Sequence, residues 1–380
     1  MATESCDVLI IGGGPAGSTC AWQLVKAGLD VVVLDKQTFP REKICAGWIT
    51  PAVIESLAFD KKAYAHGRVL QPIHGFRTGI WGGAEVETHY RDKAASYGIR
   101  RFEFDHYLLE RSKARLRLGE PMKSMTRDGD GWLVNGEIRT PLVIGAGGHF
   151  CPVSRQLGTQ LGQGETIVSA QEIEFPLSAA QREECNFDND VVQLYFCPDL
   201  KGYGWCFAKD NYLNVGLGRE DNHRLSEHVE RFCDWLRDRG SIPRNLPGKL
   251  KGHAYLTYPS SQRNLTADGV LLIGDAAGLA YPESGEGIRP AIESGLMAAE
   301  VILAAKKDYR QAQLEPYANS LTLRFGQRST GNTGKSWVPA KLKQKIAASL
   351  MASHWFARNV VIERWFLHAS QPAIVMGPAP

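Results

Sequence analysis

The chain has 380 residues, 43% hydrophobic and 22% charged, with a formal net charge of only +3. That composition belongs to a globular protein with a sizeable core, and it gives no electrostatic case for nucleic acid. Eight scattered cysteines, without a Cys-x-x-Cys pair or paired histidine spacing, favour neither a metal site nor a disulfide scaffold and read as reduced thiols of a cytoplasmic protein.

In chain order, the first residues through Asp7 lack the basic region of a signal peptide. Residues 8–25 are uncharged, but four glycines and Pro15 within them predict a strand, turn and helix rather than a membrane span. Val8, Leu9, Ile10 and Ile11 form a short strand apolar on both faces, as in a parallel sheet. Gly12, Gly14 and Gly17, with Pro15 and Ala16 between them, supply Gly-x-Gly-x-x-Gly at the strand-to-helix turn. Such a turn brings backbone and helix N–H groups to a pyrophosphate. A helix to about Ala27 follows, then a second strand from Leu29 to Leu34. Asp35 and Lys36 close it, the carboxylate placed to accept from ribose hydroxyls and to repel a 2′-phosphate. This unit predicts dinucleotide binding and leaves FAD and NAD both open.

The segment from Phe39 to Trp48, with Arg41, Lys43, Cys45, Ala46 and Gly47, forms a turn of mixed character. Arg101 precedes Phe104, Asp105 and Leu108 at the start of an expected helix. Leu142, Val143 and Ile144 read as an internal strand running into Gly145, Ala146, Gly147 and Gly148. Residues 166–174 and 191–196 alternate as strands do, and 202–208 with 212–218 predict a hairpin around Lys209, Asp210 and Asn211. A late apolar run, Val270 to Ile273, leads into Gly274, Asp275, Ala276, Ala277 and Gly278. Pro282, Gly285, Gly287 and Ile288 then open a long helix. The tail after Tyr309 is helical and basic. Leu342, Ile346 and Leu350 form an apolar stripe among Lys335, Lys341, Lys343, Lys345, Arg358 and Arg364. A helix packed on the substrate domain with a solvated basic face is the first expectation, and contact with an anionic membrane surface is the alternative.

These segments resemble flavoproteins of the p-hydroxybenzoate hydroxylase superfamily, most closely the geranylgeranyl reductase family. Gly274-Asp275 is similar to the second FAD motif, which implies that Asp275 meets the ribityl chain. The Pro282 to Ile288 segment is similar to Pro-x-x-Gly-x-Gly-Ile, which implies that Gly285 and Gly287 pass the flavin ring and that the helix from Ile288 faces it. The resemblance decides for FAD and implies phosphate contact for Arg101. It also places Arg41, Cys45 and Ala46 near the flavin, with Cys45 either reactive or simply packed. Gly147 stands where the family carries aspartate. Tyr203, Trp205 and Phe207 resemble the family's Tyr-x-Trp-x-Phe, although Ala208 replaces the following proline. Tyr203 and Trp205 are thus candidates for the substrate wall, and the Trp-x-Trp-x-Ile-Pro signature of flavin halogenases is not matched.

The implied fold is α/β: a Rossmann-type FAD-binding domain with an inserted antiparallel β-sheet substrate domain and a helical C-terminal region. The expected boundaries are 1–60, 98–158 and 255–308 for FAD, 61–97 and 159–254 for the substrate sheet, and 309–380 for the helical region. The implied activity is reduction of carbon–carbon double bonds in an apolar or prenyl-like substrate by hydride from reduced flavin. An FAD-dependent monooxygenase is the first rival, and a non-catalytic prenyl or lipid carrier the second. NAD(P)H as a transient reductant, a redox partner, and a cytoplasmic location peripheral to a membrane remain open expectations.

Overall fold

The computed structural model describes residues 3–159, 167–221, 223–261, 263–328 and 339–377. Thr166 and Lys335 of the preceding reading lie outside them.

The Val8–Ile11 strand, buried at every position, sits inside a six-stranded sheet. It pairs in parallel with Val31–Asp35 on one side and Val143–Gly145 on the other. The late strand Val270–Leu272 joins in parallel beyond Val143–Gly145, with Val143 opposite both Leu9 and Val270. Apolar runs with no polar face can be buried only in such a two-sided sheet. Helix Pro15–Lys26 starts at the glycine turn and stops before Gly28, whose φ of 87° provides the left-handed exit. It packs against helix Ile288–Ala304, where a Cβ on Gly295 would stand 2.6 Å from the Ala16 carbonyl oxygen.

A second, seven-stranded sheet runs in the order Lys251–Leu256, Ile167–Pro176, Tyr212–Arg219, Gly202–Lys209, Val191–Phe196, Gly75–Ile80 and Glu85–His89. Its pairs are antiparallel except Val191–Phe196 with Gly75–Ile80. The expected hairpin is present, tightened to an Asp210–Asn211 turn with Asp210 at φ 55°. Strand alternation divides this sheet into two faces. The back face sends Phe175, Leu213, Val215 and Leu217 against Phe232 of helix Leu225–Asp238. The front face carries Ala170, Leu194, Trp205 and Phe207 toward the first sheet and the C-terminal helices.

In the C-terminal region the helix meets the second sheet with its lysines exposed, but not through its apolar stripe. Helix Ala340–Met351 approaches the second sheet through Gln344, Ala347 and the buried Met351. Its apolar stripe lies to the side of that contact, with Leu342 and Ile346 49% exposed and Leu350 42%. One line of positions along the helix meets the protein, and the more hydrophobic line does not. The following Ala357–Phe366 π-helix does pack, stacking Phe366 on Trp48 at 5.5 Å between ring centroids.

The chain then crosses helix Ile288–Ala304 at a buried ion cluster. Arg289 and Glu293, both 1% exposed or less, pair at 2.8 Å, and Arg324 donates to the same carboxylate. Arg289 also donates to the Gln371 carbonyl at 2.7 Å, and Arg324 to that of Pro372 at 2.8 Å. One carboxylate thus compensates two guanidiniums that fasten the tail. Glu293→Gln leaves both cations without a countercharge and is expected to cost about 3–5 kcal/mol in urea unfolding.

Candidate active site

Strands aligned in parallel deliver their C-terminal ends to one edge, and the predicted cofactor residues collect there. Gly12 and Gly14 turn over the end of the first strand, and Pro15 and Ala16 begin the buried helix. At Gly17 the approach is closest, since a Cβ would lie 2.0 Å from the Gly12 carbonyl oxygen. Any larger residue would force the helix off the strand. Asp35 braces the turn from the neighbouring strand: its carboxylate accepts from the Gly13 N–H at 2.7 Å and the Gln37 N–H at 2.8 Å. Each oxygen keeps a second lone pair for a ribose hydroxyl. Lys36 beside it is exposed at the rim.

The Val270–Leu272 strand brings Gly274 against Ala16, 2.9 Å from a built Cβ to the Ala16 methyl, and the Gly274 N–H donates to Ser294 at 2.9 Å. Asp275 follows in a tight 3-10 turn, half-buried, and its carboxylate caps no helix. A Cβ on Gly287 would stand 3.4 Å from Asp275 Oδ1, so the acid faces the opening of helix Ile288–Ala304. The Asp275 carboxylate accepts no hydrogen bond from the described residues, which leaves both oxygens able to accept from a ligand's hydroxyls.

Arg101 is held by an acid four residues on. It is 8% exposed and turned inward, donating to Asp105 through Nε at 2.6 Å and Nη2 at 2.8 Å. Burial opposes its charge, and Asp105 with the Cys45 thiol outweighs burial and holds it above its usual value. Arg41 reaches the same Asp105 carboxylate at 3.1 Å, and its Nη2 would lie 3.5 Å from a Cβ on Gly14. The guanidinium beside the phosphate-binding turn is therefore that of Arg41. Asp105, wholly buried, aims it.

The turn at Cys45 closes toward the second sheet. Cys45 is half-buried, and its sulfur accepts from the Gly47 N–H at 3.5 Å. The Ala46 carbonyl accepts from Lys209 Nζ at 2.7 Å, as does that of Ile99 at 3.0 Å. Lys209, fully buried, also pairs with Glu174, which Arg100 meets at 3.1 Å.

On the sheet front, Tyr203 donates its hydroxyl to the Ser284 carbonyl. Trp205 donates to Asn214 Oδ1 at 2.7 Å. Gly285 sits at φ 64° directly under Tyr255, whose hydroxyl would be 2.0 Å from a Cβ there. Glu286 caps the helix opening through the Arg289 N–H at 2.7 Å, and burial pushes its carboxyl up to about 7. The structure thus brings Cys45, Ala46, Tyr203, Trp205, Gly285, Gly287 and Ile288 to one seam between the two sheets. Asp105, Lys209, Glu172, Tyr255 and Glu286 are site residues that sequence reading did not single out. For Glu172 and Glu174 a signal existed: two acids spaced by two in an apolar strand must share one face.

A glycine turn at the first parallel strand, an acid at the end of the second and an acid on a returning strand define a flavin-binding oxidoreductase. A sequence profile of the FAD binding domain family matches residues 5–328. Digeranylgeranylglycerophospholipid reductase 3 of Methanosphaera stadtmanae is 30% identical over 360 residues, covering 86% of this chain and 85% of that protein. The menaquinone reductase of Mycobacterium tuberculosis is 30% identical over 327 residues, covering 79% and 77%. A geranylgeranyl bacteriochlorophyll reductase-like protein of Thermoplasma acidophilum superposes with a TM-score of 0.77 at 21% identity, covering 96% and 97% of the two chains. The chain belongs to the geranylgeranyl reductase family of FAD-dependent oxidoreductases.

The residues fit that cofactor on their own geometry: the glycine turn admits backbone-close phosphate, Arg41 offers charge beside it, and Asp275 keeps acceptors for hydroxyls. Asp105→Asn removes the anion that aims Arg41, and the affinity for FAD is expected to fall about tenfold or more. Titration of flavin fluorescence with the apoprotein measures it.

Proposed function

We propose that this FAD-dependent oxidoreductase saturates carbon–carbon double bonds in a prenyl-type lipid. The observation that carries this reading is the front face of the second sheet. Tyr203, Trp205 and Phe196 line it, Phe366 packs on Tyr203 at 5.1 Å between ring centroids, and Trp48 stacks on Phe366 at 5.5 Å. An aromatic enclosure takes up an apolar chain and keeps water from the reacting carbons. Bound and reduced, FAD supplies the hydride. The chain's own residues position it: Asp35 and Asp275 with hydroxyls, Arg41 with phosphate, and the Gly285 to Ile288 backbone with the ring. The opening N–H groups of helix Ile288–Ala304 favour negative charge there. NAD(P)H, docking in passing, is the proposed electron source. The names of the relatives support a lipid substrate, and one of them names geranylgeranyl groups.

The test is anaerobic. After reduction of the bound flavin with NADPH or dithionite, geranylgeranyl diphosphate is expected to reoxidise it and emerge with a saturated bond. Reoxidation only with oxygen, giving a hydroxylated product, assigns the monooxygenase chemistry instead. A colourless protein that takes up no FAD but retains the lipid assigns the carrier.

A second reading concerns location. Among the described residues no helix is long and apolar enough to cross a membrane. Yet helix Ala340–Met351 exposes Leu342, Ile346 and Leu350 together with Lys341, Lys343 and Lys345, and Trp355 beyond it is 67% exposed. We propose that this face rests on an anionic lipid surface, where lysines meet headgroups and the stripe meets acyl chains. Co-sedimentation with phosphatidylglycerol vesicles is expected, with loss on Leu342→Ser/Ile346→Ser and on replacement by phosphatidylcholine.

A further inference from the structure

Reduction of an alkene adds a hydride and a proton, and the residues assigned so far account for neither the source nor the path of the proton. Glu172 lies on strand Ile167–Pro176 with its side chain on the front face, 3% exposed. In register it stands opposite Gly216, which in turn stands opposite Trp205. The missing side chain at Gly216 is what makes room: a Cβ there would be 2.6 Å from that of Glu172 and 2.3 Å from the Trp205 ring. Glu172 Oε2 is buried, with no hydrogen-bond partner among the described residues. A buried carboxyl oxygen left without a donor is costly unless something else visits it.

The groups around it are few. The Cys45 backbone N–H and the exposed Lys43 face it from the flavin-side turn, Lys209 from strand Gly202–Lys209, and Glu174 from its own strand. Lys251, its register partner on the edge strand, points to solvent. Lys209 is already committed to Glu174 and to two carbonyl oxygens. Burial therefore dominates and pushes the Glu172 carboxyl up to about 8, so it carries a proton at neutral pH. Tyr203, the phenol on this wall, is held well above its ordinary range by burial and donates its hydrogen bond to the Ser284 carbonyl. The Cys45 turn and the Ser284 to Gly287 turn meet the sheet here, from two sides.

Resting on the reading of the protein as an alkene reductase, we propose that Glu172 is the proton donor of the reaction. The π bond of the alkene breaks and two C–H bonds form. One takes the hydride, with both electrons, from the reduced cofactor, which is oxidised; the other takes the proton from the Glu172 carboxyl. The carboxylate left behind, beside the Cys45 N–H and Lys209, regains its proton from water. A buried acid kept neutral beside an aromatic ring is an arrangement that makes a carboxyl an effective donor at neutral pH.

The test pairs two readouts on the FAD-loaded protein. Infrared difference spectra between pH 6 and pH 10 are expected to show a protonated carboxyl band that titrates near pH 8, shifts when geranylgeraniol is added, and is missing from Glu172→Gln. The amide is neutral and nearly isosteric with the protonated acid, so this variant is expected to keep its fold, FAD absorbance and melting temperature. In anaerobic single turnover with geranylgeranyl diphosphate, flavin reoxidation in the wild type is expected to slow as pH rises through about 8. In Glu172→Gln it is expected to fall about 100-fold or more, the usual scale of general acid catalysis, and Glu172→Asp to recover part of it. Absence of the band at pH 7, or an unchanged turnover rate in Glu172→Gln, overturns the proposal. A wild type that does not reduce the alkene overturns the proposed function alone. In that case the infrared band decides for Glu172: shifted by geranylgeraniol it supports an acid facing the apolar ligand, and unshifted it overturns the role.

Discussion

Parallel pairing of the Val8–Ile11 strand with its two neighbours is the constraint on which the rest of this structure hangs. Strands that run the same way end at the same edge, so Gly12, Asp35, Ala146 and, one strand further, Gly274 are delivered to one line. The pairing is enforced by side chains that are apolar on both faces and can be buried only where both faces are covered, here by helix Pro15–Lys26 and its neighbours and by strand side chains such as Trp132, Val134 and Ile138. Close contact at Gly17 then fixes how near the first helix lies, and with it the position of the N–H groups at its start. A binding edge assembled from residues more than 200 positions apart follows from a strand register.

The second organising element is charge buried at the seam between the sheets. Asp105 serves Arg101 and Arg41 together; Lys209 is shared by Glu174 and two backbone carbonyls; Glu293 serves Arg289 and Arg324. Ion pairs of this kind are poor sources of net stability but strong selectors of arrangement, because any displacement leaves a charge without its partner. They hold the Cys45 turn, the aromatic wall and the C-terminal tail in one geometry. Glu172 is the exception in that seam. Its Oε2 has no hydrogen-bond partner among the described residues, and neutrality is how a buried carboxyl meets such surroundings.

Local signals made much of this legible. The glycine turn, the acid at Asp35, the late Gly274-Asp275 pair and the alternation around Tyr203 and Trp205 each follow from short-range requirements on backbone or burial, and the resemblance they carry gave the FAD reading. Arg101 shows the limit: its place at a helix start was readable, but its direction depended on whether Asp105, four residues on, would turn inward. The stripe of Leu342, Ile346 and Leu350 shows another, since periodicity identifies an apolar line on a helix without saying what covers it.

What the sequence by itself determined is the nucleotide-binding elements, the hairpin at Asp210 and the cofactor chemistry, because those rest on patterns within a few residues of each other. What only the tertiary structure decided is which charges are shared, which stay unpaired and which sheet face meets the binding edge. Those outcomes depend on cross-strand register and on side chains meeting from distant segments: Glu172 beside Gly216 and the Cys45 turn, Arg41 beside Gly14, Tyr255 over Gly285. No linear spacing encodes them, since burial strips water from a carboxyl or a guanidinium only after the sheets have closed.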